Sequence, residues 1–180
     1  MSSSLIYLRN LRVGLFEAHG PLEDATQTAW TAMNRWLADR YGASKFKAGY
    51  GVLWLEAKAA FDKGAAATAG VGSAVTESWR YQACVELSDF GASDDLADIT
   101  VTMLPGGVYV RRRFVGDATE LARQLASACE SKVGLAHLAL DPTRPIMTVM
   151  VGDRRPDVGE PLRAVLLLPV AMAVNAQAAA

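Results

Sequence analysis

The amino-acid sequence predicts an α+β domain made of two βαββ modules, with an antiparallel sheet and two helices on one face. The main observation is that a strand, a glycine and an amphipathic helix occur twice. The first copy begins at residues 12–20 (RVGLFEAHG) and the second at 108–116 (VYVRRRFVG). Each is followed by an apolar pattern of helical period and then by two strand patterns. A half that cannot bury its own apolar face must pack against its twin, so we expect pseudo-two-fold symmetry.

The two copies are expected to form a single domain over residues 1–180, with repeats at about 5–90 and 99–170. The last segment, residues 171–180, is interpreted as a flexible tail. The seam between two such copies is a natural place for a ligand. The duplication therefore predicts where a site lies before it predicts any chemistry.

In the first copy, alternating apolar residues predict strands over residues 5–18, 48–56 and 79–87. A helix is predicted over residues 24–41, since large apolar residues recur there every three or four positions. This stripe consists of Trp30, Met33, Leu37 and Tyr41. Residues 57–78 are rich in alanine and glycine, which indicates a short helix and then a long connection. That connection is interpreted as a tolerated surface insertion, with a lid as the alternative.

In the second copy, residues 99–104 and 108–115 predict a hairpin-like pair of strands around Pro105-Gly106-Gly107. The second helix follows, and Asp117 with Glu120 three residues later is a capping-box arrangement. The remaining strands of this copy are predicted over residues 145–152 and 162–170.

Composition narrows the function. The chain carries 18 basic and 19 acidic residues, a net charge of −1, so no electrostatic footprint for nucleic acid or an anionic membrane is evident. The arginine run at residues 111–113 is interpreted as a solvated strand face. Cys84 and Cys129 fit neither a disulfide framework nor a metal site. No cofactor motif is present and the N-terminus does not resemble a signal peptide, so we expect a cytoplasmic protein without cofactor or metal.

One strand pattern places an acid beside two aromatic residues. The period of a strand puts Tyr50, Val52, Trp54 and Glu56 on one face. The same period puts Glu86 on one face with Gln82 and Cys84. A carboxylate in an apolar pocket can act as a general base on water, while an aromatic ring stabilises positive charge. The alternative is that both glutamates lie at strand ends in solvent.

The order of these motifs resembles the GyrI-like small-molecule-binding family, which includes effector-binding domains of AraC-type and multidrug-responsive regulators. In the first half the similar segments are HGPLEDATQTAWTAMNRWLA and WRYQACV. In the second half they are LPGGVYVRRRFVGD, IMTVMVGD and LRAVLLLPV. The resemblance covers nearly the whole chain. It implies a βαββ module used twice, with a ligand cleft between the copies.

The sequence departs from the family at two positions that bear on the ligand. The resemblance implies acids in two pseudo-equivalent strands, where a carboxylate pairs with a cationic lipophilic ligand. Those positions hold Gln82 and Val165 here. A buried charge is tolerated mainly when it is paired, so these residues remove the expected counter-ion for a cationic drug. Because the first strand pattern begins within ten residues of the start, we expect a stand-alone module without direct nucleic-acid binding.

Three functions are consistent with this sequence. The preferred one is a sensor or sequestering protein for a lipophilic, aromatic-rich small molecule. The second, implied by the resemblance, is a hydrolase of strained cyclopropane-type electrophiles, with Glu56 or Glu86 as base and Trp54 as the aromatic face. The third is an interaction with gyrase. The candidate ligand-binding residues are Phe16, Tyr50, Trp54, Tyr81, Gln82, Tyr109, Met147 and Val165.

Overall fold

A computed structural model describes residues 4–41, 48–54, 79–90, 96–130, 137–151 and 162–172. Glu56, the long connection over residues 57–78 and most of the predicted tail lie outside these described ranges. Within these ranges the protein has the predicted α+β architecture, with an antiparallel sheet and two helices. Among the described helices, none has both the length and the apolar character that crossing a membrane demands.

The elements follow one another along the chain with short breaks. The first part contains β1 (Ser4–Leu8), β2 (Leu11–Gly20), α1 (Leu22–Tyr41), β3 (Ala48–Leu53) and β4 (Trp79–Glu86), with a short 3₁₀ turn at Leu87–Asp89. The second part contains β5 (Thr100–Leu104), β6 (Gly107–Gly116), α2 (Ala118–Glu130), β7 (Leu138–Leu140), β8 (Ile146–Val151) and β9 (Leu162–Met172). The last strand thus extends two residues into the segment predicted as a tail.

The strands are ordered β1-β6-β9-β8-β3-β4-β2-β5, and β7 pairs with β9. Every pairing in this sheet is antiparallel. The strands β2, β4 and β3 of the first half therefore adjoin β8, β9 and β6 of the second half. The halves are joined by the β1–β6, β2–β5 and β3–β8 ladders, and the central one, β3–β8, is called the seam below.

The predicted hairpin of β5 with β6 is wrong. Instead, β5 pairs with β2 and β6 pairs with β1. The predicted strand over residues 5–18 is likewise two strands, β1 and β2, with a break at Arg9 and Asn10. The turn residues between β5 and β6 mark a bend in the chain, but a bend does not determine which strand becomes the partner.

The bend between β1 and β2 lies against the bend between β5 and β6, and the place where they meet is called the crossing below. Leu8 is paired with Gly107, and Leu11 is paired with Leu104, so one register runs through both bends. The backbone N–H of Gly106 donates to Oδ1 of Asn10 over 2.7 Å. Since β1 leads directly into β2, and β5 into β6, the outer strands of the sheet are brought together at this crossing.

Arg144 fixes the crossing to the second half of the sheet. Its guanidinium donates to the carbonyl oxygens of Gly106, Val108 and Val170 at 3.4, 3.2 and 2.7 Å. It also pairs with the carboxylate of Asp141 at 2.8 Å. A side chain at Gly107 would collide with this guanidinium, and the φ of Gly107 is +131°, so glycine is required there.

The first two strands and the helix start of each half repeat with one displacement. The strands β1 and β2 and the start of α1 recur as β5, β6 and the start of α2, each later in the chain by 96 residues, the separation of Asn10 from Gly106. The ladders also correspond, because Gly20 is paired with Trp79 and Gly116 with Leu162. This correspondence is what the predicted duplication requires.

Both helices pack on one face of the sheet, as predicted. The α1 stripe buries Trp30, Met33, Trp36 and Leu37, and α2 buries Leu121 and Leu125. The indole N–H of Trp30 donates to the hydroxyl of Tyr81 over 3.0 Å. That hydroxyl occupies the space beside Gly51, where any Cβ would collide with it.

The N-terminus of α2 is capped by Asp117, whose Oδ1 accepts from the backbone N–H of Glu120 at 2.7 Å. This is half of the predicted capping box. The carboxylate of Glu120 binds Arg123 and Gln124, at 2.7 and 2.8 Å. The cap therefore satisfies one N–H of the first helical turn.

Candidate ligand-binding face

Neither of the two described helices packs on the second face of the sheet, which is called the helix-free face below. Because side chains alternate along a strand, each of the six central strands contributes every second residue to it. Those contributed by the first half are Leu11, Val13, Leu15, Glu17, His19, Tyr50, Val52, Trp54, Arg80, Gln82, Cys84 and Glu86. Those contributed by the second half include Tyr109, Arg111, Arg113, Val115, Met147, Val149, Arg163, Val165, Leu167 and Pro169.

Part of the helix-free face is a closed apolar core. Val52, Cys84, Met147 and Tyr109 are buried there, with no more than 1% of each exposed. They pack with Leu104 and other apolar residues near the crossing. Burial raises the pKa of the Cys84 thiol well above its usual range, so this thiol stays protonated.

On the six central strands, four described apolar side chains of this face are partly buried: Tyr50, Trp54, Val149 and Val165. A fifth, Val115 near the end of β6, is 66% exposed. Tyr50, Val149 and Val165 lie on three adjacent strands: Tyr50 is opposite Val149 across the seam, and Val149 is opposite Val165 on β9. We call Tyr50, Val149 and Val165 the central strip. Together with Val115, the central strip and Trp54 are the large described apolar side chains of the six central strands that are not fully buried on this face.

Trp54 is anchored by a hydrogen-bonded relay. Its indole N–H donates to Oε1 of Gln82 over 3.0 Å, and the Gln82 amide donates to Oε2 of Glu17 over 2.7 Å. The carboxylate fixes which end of the amide faces the indole, because only the nitrogen of Gln82 can donate to it. The relay therefore holds the Trp54 ring in one orientation.

Glu17 is the carboxylate at the end of this relay, and its negative charge is already balanced by neighbouring groups. The Arg80 guanidinium lies 2.7 Å from Oε2, and Nε2 of His19 lies 2.9 Å from Oε1. Burial alone would raise the pKa of Glu17, but hydrogen bonds from Gln82, Arg80 and His19 outweigh burial and lower it. Glu17 is thus ionised near neutral pH, with Arg80 as its counter-ion.

Glu86, a candidate base, lies on the predicted face but is bound by a neighbouring cation. Its Oε1 accepts from Arg9 at 2.7 Å, and its Oε2 lies 3.5 Å from the hydroxyl of Tyr50. Its side chain is 19% exposed. Cys84 separates it from Gln82 along β4, so Glu86 and the Trp54 relay are distinct groups. The other candidate base, Glu56, lies outside the described residues.

The predicted ligand-binding residues divide between the two faces. The helix-free face holds Tyr50, Trp54, Gln82, Tyr109, Met147 and Val165. Phe16 and Tyr81 lie on the helix-covered face, where the Phe16 ring packs in a tilted arrangement against Trp36, with ring centres 6.5 Å apart, and Tyr81 is fully buried. The structure therefore does not bring Phe16 and Tyr81 together with the others.

Tyr109 is buried beside the crossing rather than at the central strip. Its hydroxyl donates to the carbonyl of Pro105 over 3.2 Å, and the Arg144 guanidinium lies 5.1 Å from the ring centre. Burial raises its pKa to about 12, although the charge of Arg144 acts in the opposite direction. Its contacts are those of a packing residue.

Sequence reasoning did not single out Glu17 and Arg80. The signal was available, since Leu11, Val13, Leu15 and Glu17 alternate along one strand and Glu17 thus shares the face of three apolar residues. What the alternation could not supply was its partner, because the pairing of Glu17 with Gln82 joins residues far apart in sequence. In the described ranges, moreover, no three His, Cys, Asp or Glu side chains gather as a metal site requires.

No family model matches the chain, and no curated protein matches its sequence. Solved structures do match. The crystal structure of the EcmrR C-terminal domain is 12% identical, with a TM-score of 0.57 over 95% of this chain and 98% of that one. EcmrR in a complex with DNA gives a TM-score of 0.60 at 12% identity, over 95% of this chain and 57% of that one.

This chain has the fold of the EcmrR C-terminal domain. An integron cassette protein of Vibrio cholerae, VCH_CASS2, is also similar, at 11% identity and a TM-score of 0.50 over 94% of this chain and 95% of that one. At these identities the likeness concerns the backbone, and individual side chains cannot be carried across. The chemistry of the EcmrR-like fold in this protein must therefore be argued from its own residues.

Proposed function

We propose that this chain is a GyrI-like small-molecule-binding module that takes a lipophilic aromatic ligand on the helix-free face, as a sensor or a sequestering protein. The shared fold with the EcmrR C-terminal domain supports the placement in this group. The order of the motifs in both halves of the sequence supports it independently. The proposed contacts are Trp54 and the central strip.

The observation that carries this proposal is the anchoring of Trp54. A partly exposed indole leaves apolar surface in water. Here the Trp54 indole is nevertheless held in one orientation by Gln82 and Glu17. A ring fixed before binding loses little conformational entropy on binding, and aromatic ligands gain from its large apolar surface. The seam between two packed halves is also a common place for a ligand.

The proposal is tested by titrating the protein with a planar lipophilic compound, 1-pyrenemethanol, while following tryptophan fluorescence and the melting temperature. Binding should raise the melting temperature, because the ligand stabilises only the folded state. Trp54→Ala should weaken the affinity about tenfold, which corresponds to about 1.4 kcal/mol. Tyr7→Ala is the matched control, since Tyr7 is an exposed aromatic residue on the edge strand β1.

Equal losses in the two variants would indicate non-specific association with exposed aromatic residues and would contradict the proposal. So would a series of lipophilic compounds that leave the melting temperature unchanged while a protein partner such as gyrase raises it. Retained melting temperature in the Trp54→Ala protein without ligand shows that the weaker binding is not unfolding.

A further inference from the structure

The arginine run at residues 111–113 divides between the two faces of β6. Its neighbours Val110 and Phe114 are buried against the helices, so Arg112 belongs to the helix-covered face. Arg111 and Arg113 alternate with them and are exposed on the helix-free face. Two of the three arginines, Arg111 and Arg113, therefore lie on the face of the candidate site, and Arg112 lies on the opposite face.

Arg113 stands at the end of the central strip. It is paired with Val165, which is opposite Val149, which in turn is opposite Tyr50. Adjacent strands are about 4.8 Å apart, so the strip from Tyr50 to Arg113 spans about 14 Å. A planar ring system that lies on the three apolar side chains of the strip therefore has one edge beside the Arg113 guanidinium.

The charges of this face are unequally compensated. Its described carboxylates, Glu17 and Glu86, each have a guanidinium at 2.7 Å, from Arg80 and Arg9. In contrast, no carboxylate within the described ranges forms an ion pair with Arg111 or Arg113. Arg163, opposite Val115 on the same side of β9, adds a further exposed cation.

We infer that the ligand is an aromatic molecule with an anionic group, its rings on Tyr50, Val149 and Val165 and its acid against Arg113. This inference rests on the proposed function and narrows its ligand class. Guanidinium groups bind carboxylate, sulfonate and phosphate oxygens in a forked geometry, and such bonds are stronger than those between neutral groups. An aromatic cation would meet guanidinium groups that form no ion pair with a described carboxylate, and Glu17 is already neutralised by Arg80.

The inference is tested with three probes that share one ring system: 1-pyrenesulfonate, 1-pyrenemethanol and (1-pyrenylmethyl)trimethylammonium. Energy transfer from tryptophan to pyrene gives each dissociation constant. We expect the sulfonate to bind about tenfold or more tightly than the ammonium probe, with the alcohol between them. The advantage of the sulfonate should decrease as salt rises, since the contact with Arg113 is exposed.

The decisive variant is Arg113→Met, with Arg112→Met as the control that removes an equal charge from the other face. Arg113→Met should weaken the sulfonate about five- to twentyfold and change the affinity for the alcohol less than twofold. Arg112→Met should leave all three affinities within twofold. Circular dichroism of both variants checks that the fold is retained.

Failure of this inference differs from failure of the proposed function. If all three probes bind and the ammonium probe binds most tightly, the anionic class is overturned while small-molecule binding remains. Equal weakening by Arg112→Met and Arg113→Met would overturn it too, because a general charge effect would then explain the preference. If none of the probes binds, both the inference and the proposed function are overturned.

Discussion

Glu17 and Arg113 occupy corresponding positions in the two halves of the sheet. They are related by the displacement of 96 residues that also relates Asn10 to Gly106, and they lie opposite Gln82 and Val165, respectively. One half thus presents a carboxylate that is bound and neutralised, and the other an exposed guanidinium. A molecule that lies across the seam meets two chemically different ends, so we expect it to bind in a single orientation.

The first prediction concerns the relay that joins Trp54 to Glu17. Gln82→Met keeps the volume of the side chain but removes both hydrogen bonds, so it should lower the free energy of unfolding by about 1–3 kcal/mol. Urea unfolding measures this loss of stability. Trp54 should also become more mobile, which lowers the tryptophan fluorescence anisotropy. Val165→Met, at the corresponding position of the second half, is the control. A Gln82→Met protein as stable as wild type would contradict the relay.

The second prediction follows from the lowered pKa of Glu17. A carboxyl group with a lower pKa in the folded state stabilises the fold above its unfolded pKa, and this contribution disappears as the pH falls through the folded value. Glu17→Gln should therefore cost about 1 kcal/mol at pH 7 and progressively less below the usual pKa of 4.5. Urea unfolding of both proteins from pH 7 to pH 3 measures this difference. A difference that stays constant with pH would count against the ion pair.

The third prediction concerns the space beside Gly51. Gly51→Ala brings a methyl group against the Tyr81 hydroxyl and should destabilise the protein by about 1–3 kcal/mol. Tyr81→Phe alone should also destabilise it, because the Trp30 indole loses its acceptor. In the double variant the hydroxyl is gone, so the combined loss should be smaller than the sum of the two.

A control for this cycle comes from Gly49, whose added Cβ would meet the ring of Trp30 instead of Tyr81. Tyr81→Phe should not relieve the cost of Gly49→Ala. Strict additivity of Gly51→Ala with Tyr81→Phe in chemical denaturation would show that the hydroxyl is not what occupies the space.

The sequence predicted the elements better than their partners. The stripe of Trp30, Met33 and Leu37 indicated α1 because helical period is a local property of the chain. The partner of β5 is not local, and the Pro105-Gly106-Gly107 turn was interpreted as a hairpin when it is a crossing. A two-residue bend is compatible with both arrangements, and only contacts between distant segments distinguish them.

Contacts between distant segments also explain which parts of the candidate site the sequence did not predict. Alternation correctly grouped Tyr50 with Trp54, but it did not separate Phe16 from Leu15, because β2 is apolar on both faces. Gln82 and Val165 were interpreted as the loss of an acid from the site. The carboxylate is instead one strand away, at Glu17, and the register that joins it to Gln82 could not be read from either strand alone.

The last prediction concerns Tyr109, whose pKa burial raises to about 12, although Arg144 opposes this increase. A group with a raised pKa in the folded state stabilises the fold fully below its unfolded pKa of about 10, and the contribution is lost as the pH rises towards the folded value. The free energy of unfolding should therefore decrease between pH 10 and pH 12. Tyr109→Phe should reduce that slope by up to about 1.4 kcal/mol per pH unit, the effect of one proton. Identical slopes for Tyr109→Phe and wild type would contradict the burial of the Tyr109 hydroxyl.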